Sequence, residues 1–107
     1  MKLETIADPK SWVRDGQVWK LVIAHSKTGT PAIEFRMDRL GSDYRVREWT
    51  HGAEDNLSGW FVGVRGIEKT RYNQRPPFFG SAKAAAIAAA NYYLRQYGAS
   101  ACHNSQR

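Results

Sequence analysis

Two kinds of grouping in this chain could do chemistry: short clusters of His, Cys and acids, and cations interleaved with aromatic rings. The stretch "HGAED" sets His51, Glu54 and Asp55 within five residues, the side-chain types that ligate metals or relay protons. Their spacing matches no zinc motif, and a glycine-containing run of polar residues reads as a loop. Cys102 and His103 are adjacent in "ASACHNSQR", where a small, polar tail would not hold a nucleophile against its base. His25, at a strand end, reads as structural. The chain has no phosphate-binding glycine loop and no dinucleotide fingerprint. We therefore assign no catalytic residue, metal or cofactor, and expect no enzyme.

The cations are a different matter. Net charge is +6, and its distribution is uneven. Residues 1–64 hold nine Lys/Arg against nine Asp/Glu, whereas residues 65–107 hold seven Lys/Arg against Glu68 alone. An excess concentrated in one part of the chain suits an acidic partner, nucleic acid above all. Within that part, "KTRYNQRPPFFG" (69–80) threads Lys69, Arg71 and Arg75 with Tyr72, two prolines and two phenylalanines. The prolines forbid regular structure, and Phe78 and Phe79 are expected to return to the core. Lys69, Arg71, Tyr72 and Arg75 are left as a basic arm.

The elements that must carry these residues follow from periodicity. Asp8 and Pro9 suit the start of a short helical turn. "QVWKLVIAH" (17–25) reads as a strand, rich in Val, Ile, Leu and Trp. "AIEFRMD" (32–38) and "YRVREWT" (44–50) alternate apolar and polar residues, and "WFVGVRGIE" (60–68) reads as a fourth strand. Short connections favour an antiparallel meander. "SAKAAAIAAANYYLRQYG" follows, with Ser81 as N-cap, alanine as the best helix former and Gly98 as terminator. The stripe Ile87, Ala90, Leu94 and Tyr97 is expected to lie on the sheet. The expectation is one α+β domain over 1–98, with four antiparallel strands packed on one C-terminal helix, and a flexible, polar C-terminal tail over 99–107. Phe35, Trp60 and Ile87 are its expected core.

One helix covers one side of a sheet. If Ile33, Phe35, Met37, Tyr44, Val46, Trp60, Val62 and Val64 face the helix, alternation puts Glu34, Arg36, Arg45, Arg47, Trp49, Phe61 and Arg65 on the open side. Guanidinium groups and rings on one flat face can hold phosphates and stack bases. An ordinary solvated face is the competing arrangement, with Arg36 and Arg45 paired to Glu34 or Glu48.

From Trp60 onward, "WFVGVRGIEKTRYNQRPPFFGSAKAAAIAAANYY" resembles the last strand and helix of AP2-type and integrase-type DNA-binding domains, through Phe79, Gly80, Ser81, Ala85, Ala86, Ala89, Ala90 and Tyr93. The resemblance implies a sheet that enters the DNA major groove, with Arg45, Arg47, Trp49 and Arg65 on the contacting face. The long loop 69–80 and the additional first strand depart from that pattern. DNA is accordingly the expected partner ahead of RNA. The alternative is a protein-interaction module, for instance a phage- or mobile-element-type inhibitor that docks through the same basic surface. The outer side of the helix (Ala85, Ala88 and Ala89 beside Tyr92) further suggests weak helix-to-helix dimerisation. "AAAIAAA" is too short to cross a bilayer. The N-terminus lacks an apolar signal region, and a single cysteine suits a reducing cytoplasm.

Overall fold

The computed structural model of the chain describes residues 1–51, 60–63, 69–71 and 78–105. A short helix α1 (Leu3–Ile6) and a 3-10 turn (Pro9–Ser11) lead into β1 (Val13–Asp15), β2 (Val18–His25), β3 (Pro31–Leu40), β4 (Asp43–Thr50), β5 (Trp60–Val62) and β6 (Lys69–Arg71). Helix α2 (Ala82–Ser105) closes the chain. The strands form one antiparallel sheet in the order β1 to β6. The architecture is thus the α+β sheet-plus-helix arrangement that the alternation implies. Asp8 caps the 3-10 turn, accepting from Lys10 N at 3.1 Å.

The described residues contain six strands where four were expected. β1 occupies the end of the segment read as a helical turn. Asp15 pairs with Val18, so a two-residue connection joins β1 to β2, and Leu40 pairs with Asp43 across an equally short link. Both links begin with a glycine at positive φ, Gly16 at 64° and Gly41 at 63°. This is what a tight hairpin with its first central residue in the left-handed region requires. The other change falls on "WFVGVRGIE". β5 ends at Val62 and pairs antiparallel with β6 at Lys69–Arg71, so the chain reverses between them. Gly63 follows the end of β5, and a glycine inside a strand pattern marks such a break.

The core lies between the sheet and the helix. Phe35, Met37, Val46 and Val62 from the sheet, with Ile6, Trp12 and Phe79, pack against Ala85, Ala86, Ala88, Ala89, Ala90 and Tyr92. Trp12 and Phe35 stack with centroids 6.1 Å apart, and Tyr92 meets Phe35 edge-on at 5.9 Å. Trp12 donates its indole N–H to Ile6 O at 2.8 Å, so the ring buries its one polar atom satisfied. Phe79 is anchored as expected. It exchanges backbone hydrogen bonds with Tyr44 at 2.7 and 2.8 Å, while Phe78 is exposed.

The buried side of the helix is turned from the expected stripe: Ala90 is in the core and Tyr97 reaches Glu48 on the sheet, but Ile87 and Leu94 face outward. Ile87 is 42% exposed and Leu94 39% exposed, whereas Ala85, Ala88, Ala89 and Tyr92 are buried. The sheet and the N-terminal segment supply the bulk (Phe35, Met37, Trp12 and Ile6), and small residues on α2 let its backbone come close. An isoleucine at an alanine position would overfill that space. The surface proposed for dimerisation is therefore the core itself, and no helix pairing can use it. Ser81 caps α2, accepting from Ala84 N at 3.1 Å. Gly98 does not end it. The helix runs through this buried glycine to Ser105, and a Cβ there would approach Leu94 Cδ1 to 2.6 Å. The side chain of Trp60 lies outside the described residues. Among the described residues no helix is long and apolar enough to cross a membrane.

Candidate nucleic-acid interface

Strand pairing sets the candidate face. Because paired residues point to the same side of a sheet, the register orders the face into rows. One row runs Lys20, Arg36, Arg47 and Phe61 across β2 to β5. On one flank lies Asp15, Val18, Asp38 and Arg45, and on the other Val22, Glu34 and Trp49. Their backbone neighbours Leu21, Phe35, Met37 and Val46 are in the core, so all three rows face away from α2.

Lys20, Arg36 and Arg47 are direct cross-strand neighbours, three cations within about 10 Å at ordinary strand spacing. Like charges placed opposite each other oppose sheet pairing, and the flanking acids offset part of this. Glu34, 3% exposed, lies 3.4 Å from Arg36 Nη2 and is also bonded to His51. Asp38 accepts from Arg45 Nε with both oxygens, at 2.9 and 3.1 Å. Lys20 reaches Asp15 at 3.5 Å through an exposed pair, a contact of small energetic weight. The solvated-face arrangement is therefore partly present. Arg36 pairs with Glu34, but Arg45 takes Asp38, and Glu48 faces the helix, where it accepts from Tyr92 and Tyr97.

Trp49 carries both arginines. The guanidinium carbons of Arg36 and Arg47 lie 3.8 and 4.4 Å from its ring centroid. A ring covered in this way is a platform for cations rather than a free surface for a base. Between the first two rows is a depression of about 200 Å³ lined by Asp15, Val18, Lys20, Arg36, Asp38 and Arg47. Arg36 Nε is buried without a hydrogen-bond partner.

The expected site residues divide clearly. Arg36, Arg45, Arg47 and Trp49 share this face. Phe61 is in register with it, but its ring is only 1% exposed, with Arg45 5.1 Å from its centroid. It fills space and does not present a stacking surface. Lys69 and Arg71 belong to strand β6, paired with Val62 and Trp60, not to a loop. Arg65, Tyr72 and Arg75 lie outside the described residues. Lys20 was missed, because its strand reads as apolar and its only charge looks incidental. The available signal was that Lys20 alternates with Val18 and Val22, opposite Leu21.

Glu54 and Asp55 lie outside the described residues, and His51 bonds to Glu34 on β3. Among the described residues no group of three or more His, Cys, Asp or Glu could hold a metal. Comparison with known proteins finds no matching family model, no matching curated protein and no matching solved structure.

Proposed function

We propose that this chain is a small, non-enzymatic nucleic-acid-binding module that grips the sugar-phosphate backbone with the face of β2, β3 and β4 turned away from the helix. The observation that carries it is the row Lys20, Arg36 and Arg47, unbroken across three strands and stiffened by Trp49. Arginine forks suit phosphate oxygens, and backbone contacts position a strand without reading its bases. The excess charge of residues 65–107 adds a long-range attraction. Lys69 and Arg71, on β6 at the edge of the sheet, belong to that excess, and Arg65, Tyr72 and Arg75 remain candidate contacts. The resemblance to AP2-type domains favours DNA over RNA.

Titration of labelled duplex DNA, single-stranded DNA and RNA at two salt concentrations tests this. Each phosphate contact contributes about 0.9 to the salt slope on duplex DNA, so changing Lys20, Arg36 and Arg47 together to Gln should lower it by about two to three units. Absence of binding to all three polymers at low salt would defeat the proposal.

A second reading is a protein-docking module. It is favoured by the alternation of acids and cations on the same face, Asp15, Glu34 and Asp38 among Lys20, Arg36 and Arg45. That pattern complements a mixed-charge protein surface better than a uniform polyanion.

A further inference from the structure

We infer that the depression between the rows is a seat for a single phosphomonoester, and that the protein prefers nucleic acid that ends in a terminal phosphate. This rests on the nucleic-acid function proposed above. The cationic row is one residue wide. Residues two along a strand are about 7 Å apart, and at that distance the row is bordered by Asp38 on one side and Glu34 on the other. A backbone running along the strands would carry its next phosphates over those carboxylates. An end group meets the cations without continuing past them.

The depression fits such a group. Its volume of about 200 Å³ holds a phosphate with several waters, each needing about 30 Å³. Two of its three cations have capacity to bond. Arg36 lines the depression, and its Nε, buried with no acceptor, gains a bond when the side chain turns toward an incoming oxygen. Lys20 Nζ holds only a 3.5 Å contact to exposed Asp15, which an incoming oxyanion can displace. The acid on the other wall, Asp38, already has its charge matched by Arg45. A monoester carries nearly two negative charges at neutral pH, against one for an internal diester, and so gains more from three neighbouring cations. The bound state involves no bond making or breaking in the ligand.

The test is anisotropy titration of the full chain with a labelled single-stranded oligonucleotide phosphorylated at one end or the other, against the same oligonucleotide with hydroxyl ends. Inorganic phosphate serves as competitor. We expect a phosphorylated end to bind roughly tenfold tighter, the equivalent of one additional charge-assisted contact. Arg36→Gln should abolish the difference. Lys20→Gln, at a more exposed position, should at least halve it, and millimolar phosphate should erode it. Equal affinities for the two kinds of end would overturn the seat while leaving backbone binding intact. A difference that survives both substitutions would overturn it too. Retention of phosphate with neither oligonucleotide bound would keep the seat and remove the nucleic-acid function. No binding of any of them would remove both.

Discussion

Tyr92, in the middle of α2, donates its phenol hydrogen to Glu48 Oε1 on β4 at 3.1 Å, and Tyr97 reaches the other oxygen of the same carboxylate. One acid on the covered side of the sheet thus ties two successive turns of the helix. Burial foremost, and then the Glu48 carboxylate, raises the ionisation of both phenols well above the ordinary tyrosine range.

The sign of the resulting pH dependence follows directly. A group whose folded value lies above its unfolded value contributes stability that is complete below the unfolded value and is lost as pH rises past it. Stability should therefore hold up to about pH 10 and fall above it. Spectrophotometric titration of the five tyrosines should show two that ionise only as the fold is lost. Ionisation of all five near pH 10 in a still-folded chain would mean that the clamp is absent. Tyr97→Phe should cost about 1–2 kcal/mol at neutral pH by chemical denaturation and flatten this alkaline loss.

Ala88 and Ile87 are neighbours in sequence with opposite fates. Ala88→Glu forces a carboxylate into the core and should destabilise the fold by roughly 3 kcal/mol or more. Ile87→Glu lies on the outer side and should stay within about 0.5 kcal/mol of the parent. Thermal melts of the two variants decide this, and equal losses would contradict the inward alanine face.

Phe35 is enclosed by Trp12, Tyr92 and the alanines of α2. Phe35→Ala should cost roughly 3–5 kcal/mol in urea denaturation. A cost below about 1 kcal/mol would show that this side of β3 does not face the helix.

Trp49→Ala removes the ring against which Arg36 and Arg47 lie without changing any charge. It should weaken DNA binding by about 1–2 kcal/mol, the range for a partly buried cation–π contact, while leaving the salt slope unchanged. Arg36→Gln should lower the slope by about one unit. If Trp49→Ala instead altered sequence preference at constant affinity for generic DNA, the ring would be meeting bases.

The sequence alone determined the faces of β3 and β4. A strand has only two sides, and the sets Phe35 and Met37, Tyr44 and Val46, separated by Arg36 and Arg45, leave one choice for the buried one. It also determined that an alanine-rich helix follows Ser81, because capping and propensity are local. It did not determine which side of that helix is buried. Apolar residues occur almost all round α2, so a hydrophobic stripe selects no direction, and only the bulk offered by Phe35, Met37 and Trp12 makes alanine the better fit. The candidate site is legible in the same uneven way. Arg36, Arg45, Arg47 and Trp49 could be placed on one face by alternation, but their alignment with Lys20 depends on register, set by the turns at Gly29 and Gly41 and by the irregularity between Val22 and Ala24. The burial of Phe61, the pairing of β5 with β6 and the hold of Tyr92 and Tyr97 on Glu48 join residues distant in sequence. Such contacts are chosen by the packing of whole elements, and no local pattern encodes them.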